Sequence, residues 1–332
     1  MNLAAFSRRT LLTSAALAAT VAGACLPAHA QEWPTKSVRL ITPYPVGGGP
    51  DGIARLLADK LSKKWGKPVV VDNRPGGNGF IAIDAFKRGA SDGHDLLQLD
   101  SVHLTAYPYM FKKLPYDVSK DFEPIAPLFQ SFLFFVVPTN SKYTKVSELI
   151  ADAKARPGKI NYGSWSIGNP VHLGVEELQE LAGIKVQHVI YKETTQLYTS
   201  VGTGELDFSI GSAGTAGAMY RAGKLRFLAV AGPKRMEAYP DVPTVAESGG
   251  PANGYEVSGW NTIAGPKGLS PAIQDKIRKD IAEALSGPDV KEKFLTFGYV
   301  PLNLDRPQFA KFIQNEASRY SAVIKRAKIE LE

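Results

Sequence analysis

Apolar positions along the chain follow two periods, and the periods alternate. Val38 to Ile41 is a short β-branched run that reads as a strand. After a glycine-rich stretch, Ile53, Leu56, Leu57, Leu61 and Trp65 recur at helical spacing. Val69 to Val71 is the next strand, Gly79 to Lys87 a helix, and Asp95 to Leu99 a further strand. This βαβαβ order predicts a mostly parallel sheet with helices on both faces. A second set of the same units starts near Phe132. It holds a helix over Ser147 to Lys154 and a strand over Ile160 to Gly163. Asn169-Pro170 then caps and opens a helix that runs to Ala182. Val186 to Tyr191, Leu206 to Ile210 and Leu225 to Ala231 read as strands, with helices starting near Thr194 and Thr215. Ile273, Ile277, Ile281 and Leu285 line one helix face, and a last helix covers Pro307 to Lys328.

Two Pro-flanked apolar runs, Phe132 to Val137 and Tyr255 to Ala264, read as crossings between domains. They divide the α/β chain into one domain of residues 31–133 plus 261–332 and another of residues 134–260. Ligands of open α/β sheets bind beyond the carboxyl ends of the strands, so both domains would present loops to one cleft.

The N-terminus changes this picture. Arg8 and Arg9 precede an apolar, Ala-rich run from Leu11 to Leu26 and then Ala28-His29-Ala30, which together form a signal peptide over residues 1–30, cleaved after Ala30. Ser7-Arg8-Arg9 also resembles a twin-arginine signal. Cys25, the one cysteine, lies inside the signal, so the exported chain has neither disulfide nor thiol chemistry. Export without disulfides points to the periplasm and to a soluble monomer. Loss of Arg8 and Arg9 lowers the formal charge from +7 to +5. The remaining basic residues are scattered, which gives no nucleic-acid stripe but a mild field that favours anionic small molecules.

Catalytic patterns are absent. Gly163-Ser164-Trp165-Ser166-Ile167-Gly168 lacks the spacing of a nucleophile elbow. His94, His103, His172 and His188 form no zinc pattern and read as surface or structural residues. Gly47-Gly48-Gly49-Pro50-Asp51-Gly52 lacks the Gly-Lys-Ser/Thr end of a phosphate loop. No enzyme activity, metal or cofactor is expected. Binding fares better. Val46 to Asp51, Gly76 to Gly79, Ser164 to Asn169 and Gly211 to Thr215 all sit between a strand and a helix, where open N–H groups and the helix dipole suit a carboxylate. Asp51 is placed to cap the helix behind the first of these loops.

These residues resemble the periplasmic receptors of tripartite tricarboxylate transporters, the Bug family. The resemblance is carried by "WPTKSVRLITPYPVGGGPDGIARLLADKL", "PVVVDNRPGGNGFIAIDA", "KKLPYDVSKDFEPIAPL", "GKINYGSWSIGNPVHLGVEEL" and "DVPTVAESG", and it extends over nearly all of the chain after the signal. It implies a type II periplasmic-binding-protein fold, two α/β domains joined by two crossing strands around a ligand cleft. It also implies capture of a small organic carboxylate and delivery to a membrane permease of one large and one small subunit. By position it puts Tyr44, Val46 and Gly48, then Asn78, then Asp100 and Ser101 at the ligand on one side. Ser164, Ser166, Asn169, Tyr191, Thr194, Thr195 and Ser212 would serve on the other. The rival reading is a ligand sensor that engages a signalling partner in place of a permease.

Three departures from the family pattern bear on the ligand. Asp100 stands where relatives have a hydroxyl or small residue. Tyr191-Lys192-Glu193-Thr194 replaces a Tyr-Lys-Gly run. An acid there would repel a dianion, so it either points away or meets a donor on the ligand. Trp165 replaces a small residue and either stacks on a flat ligand or packs outside the cleft. Together they favour a bulky or aromatic carboxylate, or one bearing an amine or hydroxyl.

Overall fold

The computed structural model describes residues 33–252 and 254–332; the expected signal segment lies outside them. From Lys36 onward the chain builds two sheets. The elements of the first are β1 (Val38–Thr42), α1 (Gly49–Trp65), β2 (Val69–Asn73), α2 (Phe80–Lys87) and β3 (Asp95–Asp100). Three short helices follow, α3 (Ser101–Thr105), α4 (Tyr107–Met110) and α5 (Val118–Asp121), and then β4 (Phe122–Phe132). The second sheet takes β5 (Phe134–Pro138), α6 (Val146–Ala155), β6 (Asn161–Ser164), α7 (Pro170–Ala182) and β7 (Gln187–Ile190). It is completed by α8 (Thr194–Thr203), β8 (Phe208–Gly211), α9 (Ala213–Arg221) and β9 (Leu225–Val230). The chain then returns to the first sheet with β10 (Ser258–Pro266), α10 (Pro271–Leu285), α11 (Pro288–Phe297), β11 (Val300–Pro301) and α12 (Arg306–Ala327).

Sheet order is β11-β4-β10-β3-β1-β2 in the six-stranded half and β7-β6-β8-β5-β9 in the five-stranded half. The expectation of a mostly parallel sheet fails in both. β1 pairs parallel with β2 and β3, and β6 with β7 and β8. Around these trios, β10 runs antiparallel to β3 and β4, and β5 runs antiparallel to β8 and β9. The reason lies in the connections. A parallel neighbour needs a helix-bearing crossover, and the strands that carry the chain from one sheet to the other have none.

Only Leu133 separates β4 from β5. Its N–H donates to the Val257 carbonyl at 2.9 Å and its carbonyl accepts from the Ala231 N–H at 2.8 Å, which ties the outgoing crossing to the returning one. Away from the crossing, α12 braces α7: Arg319 lies 3.7 Å from Glu177, Arg326 pairs with Glu180, and Leu173 is buried with Tyr320, Val323 and Ile324. α11 is a helix that apolar spacing does not announce, since only Val290 and Phe294 of its ten residues are buried.

Candidate functional site

In each half the first strand of the parallel trio is central, so three carboxyl ends lie along one sheet edge. They are Thr42, Asn73 and Asp100 in one half and Ser164, Ile190 and Gly211 in the other. Each end leads directly into a loop and a helix. Every site residue expected from sequence falls at one of these six junctions.

At the first junction two of the three glycines are required by the fold and one is not. Gly47 has φ +90°, a left-handed backbone that a side chain would strain. Gly49 is crowded, because a Cβ there would stand 2.3 Å from the Tyr299 hydroxyl. Gly48 has neither constraint: its φ is −73°, and a Cβ would meet nothing closer than 3.7 Å. It is also the residue that caps α1, which corrects the expectation for Asp51. Asp51 lies inside the first turn and reaches back, accepting from the Gly47 N–H at 2.9 Å, Asn73 Nδ2 at 2.7 Å and Arg55 Nε at 2.9 Å. Although burial works against the charge, these donors hold its carboxyl below the ordinary range. Val46 is 71 % exposed at the tip of the loop.

Tyr44 links this junction to the third. Its hydroxyl donates to Asp100 Oδ2 at 2.6 Å and accepts from Asn261 Nδ2 at 2.9 Å. Burial, together with the Asp100 charge, pushes the phenol well up, so it stays a neutral donor. Asp100 caps α3, accepting from the Val102 N–H at 3.2 Å and from the buried Ser101 hydroxyl at 3.1 Å. Asn78 is exposed in a left-handed conformation at φ 55°. The ring of His103 spans the second and third junctions, with Nε2 2.9 Å from the Asn78 carbonyl and Nδ1 3.1 Å from the Asp100 carbonyl.

The five-stranded half is held by neutral groups. Asn169 caps α7, its Oδ1 accepting from the Val171 and His172 N–H groups at 2.8 and 3.0 Å. Its Nδ2 donates to Ser164 Oγ at 2.9 Å and to the Ser166 carbonyl at 2.5 Å. Ser164 Oγ also lies 2.7 Å from His188 Nε2 and 3.0 Å from the Ser166 carbonyl. Both side chains are thus fully occupied by protein partners. His188 stacks between Tyr162 and His172, at 4.8 and 4.5 Å between ring centroids. His172 Nδ1 accepts the Gly168 N–H at 2.9 Å, and burial beside His188 pushes its pKa down to about 4.

The buried Tyr191 follows β7, its N–H donating to the Ser164 carbonyl at 2.9 Å. Thr194 opens α8 and Thr195 is exposed beside it; Glu193, before them, is exposed and makes no side-chain cap bond. Ser212 caps α9 through the Thr215 N–H at 3.2 Å. Trp165 is half-buried against both apolar clusters of this half.

Tyr44, Asn78, Asp100 and Ser101 therefore share one hydrogen-bonded network, and Ser164, Ser166, Asn169 and Tyr191 another. Thr194, Thr195 and Ser212 are bonded to neither. Sequence reasoning missed Asn73 and Asn261 as the residues that tie the six-stranded network together, and it read His103, His172 and His188 as surface or structural residues without placing them at these junctions. Asn73 sits in the quoted "DNRPGG" stretch and could have been found there. The others carry no local signal. Among the described residues there is no grouping of His, Cys, Asp and Glu suited to a metal, and no helix long and apolar enough to cross a membrane.

Two α/β halves joined by two crossing strands, each with three strand-to-helix junctions along one edge, form a type II periplasmic-binding-protein fold. Solved structures of that fold align over most of the chain. An R. palustris protein with adipate gives a TM-score of 0.78 at 28% identity, covering 90% of this chain and 99% of its own. The periplasmic binding protein BugD gives 0.74 at 25%, covering 90% and 100%. MatC from Rhodopseudomonas palustris with bound malate gives 0.73 at 25%, covering 88% and 100%. BugT of Bordetella pertussis is 32% identical over 312 residues, 94% of this chain and 95% of BugT. Residues 53–329 match the family described as "Tripartite tricarboxylate transporter family receptor". The chain belongs to that family and is a solute-binding receptor.

Proposed function

We propose that the receptor works in the periplasm, after removal of residues 1–30, and captures a small organic carboxylate by closing its two halves. It then passes the ligand to a permease of one large and one small membrane subunit. The moving bodies are residues 31–133 with 261–332, and residues 134–260. The observation that carries this reading is the arrangement of six strand-to-helix junctions, three along one edge of each sheet. Closure is driven by contacts that exist only when both sets of junctions touch one ligand.

The ligand-facing groups in this reading are the N–H groups of Val46, Gly48 and Gly49, together with Asn78, Ser166, Thr194, Thr195 and the Ser212 hydroxyl, while the Gly47 N–H serves Asp51. Ser101, Ser164 and Asn169 act from behind by fixing the loops, since their polar atoms already have partners. Packing accounts for much of Trp165, so the preference for a flat ligand weakens and the polar groups carry the reading. The adipate and malate bound by related proteins support the carboxylate class.

Thermal denaturation in the presence of mono-, di- and aromatic carboxylates tests it. A ligand at 100 times its Kd adds about 2.7 kcal/mol, an upward shift of several degrees. A panel with no shift at all would overturn the carboxylate reading.

A further inference from the structure

The two acids of the six-stranded network differ in one respect. Asp51 is paired with Arg55 at 2.9 Å, whereas Asp100 makes no ion pair among the described residues. All three of its hydrogen bonds come from neutral donors: the Tyr44 hydroxyl at 2.6 Å, the Ser101 hydroxyl at 3.1 Å and the Val102 N–H at 3.2 Å. A carboxylate offers about four acceptor positions, so one is left. The cations and imidazole of this network are engaged elsewhere. Arg55 serves Asp51 and Asn73, and His103 is turned to the carbonyls of Asn78 and Asp100.

The phenols complete the picture. Tyr44 cannot offer its proton to a ligand while it serves Asp100, and the amide of Asn261 donates into the same oxygen at 2.9 Å. Tyr107 and Tyr299 also feel the Asp100 charge, and neither hydroxyl has a hydrogen-bond partner among the described residues. Tyr299 is held in place by a flat stack on Phe129, 3.9 Å between ring centroids, and its hydroxyl lies against Gly49 at the start of α1.

A carboxylate brought to this place would meet a negative charge without an ion-pair partner in partly buried surroundings. An ammonium group would meet a carboxylate with room for another donor. We propose that Asp100, held by the Tyr44 hydroxyl and left without an ion pair, is a subsite for an ammonium group, and that the ligand is a zwitterionic amino-carboxylate. Its carboxylate lies toward the neutral caps Asn169 and Ser212 of the five-stranded half. The proposal rests on the carboxylate reading above and narrows it.

Calorimetric titration of the mature chain with matched pairs tests it. Each pair is a straight-chain diacid of four to six carbons and the ω-amino acid in which an ammonium replaces one carboxylate, such as adipate and 5-aminopentanoate. In at least one pair the amino acid is expected to bind about tenfold more tightly than the diacid. Asp100→Asn keeps a good cap for α3 and should abolish that preference. The proposal is overturned if no amino acid outbinds its matched diacid, or if Asp100→Asn leaves the ratio unchanged. Diacid binding without the preference sinks the ammonium subsite alone. Silence across both these pairs and the carboxylate panel sinks the wider reading with it.

Discussion

In the six-stranded half, carboxylates tie the junctions together: Asp51 gathers Gly47, Asn73 and Arg55, and Asp100 gathers Tyr44, Ser101 and Val102. In the five-stranded half the same positions are held by the amide of Asn169, the hydroxyls of Ser164 and Ser212, and the imidazoles of His172 and His188. A helix N-terminus carries roughly half a positive charge, and an acid built into the first turn consumes it. The junction behind the three glycines is therefore partly neutralised by Asp51, while the helix capped by Asn169 has no acid in its first turn. An acid in the first turn weighs more on how a junction treats an anion than the number of glycines in front.

Four measurements would sharpen or break this contrast. The largest effect is expected from Asn169→Ala, which removes two accepted and two donated hydrogen bonds in the loop. Denaturant unfolding should show a loss on the order of 3 kcal/mol, and a loss below about 0.5 kcal/mol would deny Asn169 its organising role. Next comes acid. His172 is neutral when folded, so the folded state binds fewer protons than the unfolded one. Stability is then complete above about pH 6.5 and falls as the pH drops toward 4, by at most roughly 3 kcal/mol from this ring. The depressed pKa of His188 adds to the loss, and the raised pKa of Glu176 opposes it. Melting temperatures across that window should fall less steeply in His172→Gln; parallel curves would count against the assignment.

A third test separates fold from grip. Gly48→Val should weaken ligand binding about a hundredfold while costing about 1 kcal/mol in the free protein, because Gly48 has ordinary dihedrals and open space. Gly47→Val, at φ +90°, should instead cost stability first. The smallest change is Tyr44→Phe, which takes one of three donors from Asp100 and should cost about 1 kcal/mol by thermal unfolding.

Local elements were largely legible from sequence. The Asn169-Pro170 signature caps and opens α7 as its residues dictate, and the last helix differs from its expected span by one residue at each end. Sheet direction was not legible. Strands such as β10 read as apolar runs whichever way they lie, and their orientation is fixed by the chain's return to the first sheet. For the site, sequence could name residues at the junctions but not how much of their bonding capacity the loops themselves use. Asn169 and Ser164 carry suitable groups for a ligand, yet their partners at 2.5–3.0 Å are the loop itself, the first turn of α7 and His188 of β7. That accounting needs coordinates, because His188 reaches Ser164 from 24 positions away in the sequence.

The place of β10 between β3 and β4 has a consequence for the order in which the chain can fold. β3 and β4 are made early, but β4 and the edge of β3 away from β1 find their partner β10 only when Ser258 to Pro266 arrives, after the whole five-stranded half has been synthesised. Until then the first sheet is in two pieces, with unpaired strand edges on both sides of a gap. Completion of the fold belongs to the finished polypeptide. Its slow step should be the insertion of one nine-residue strand that closes contacts across more than 120 positions of sequence.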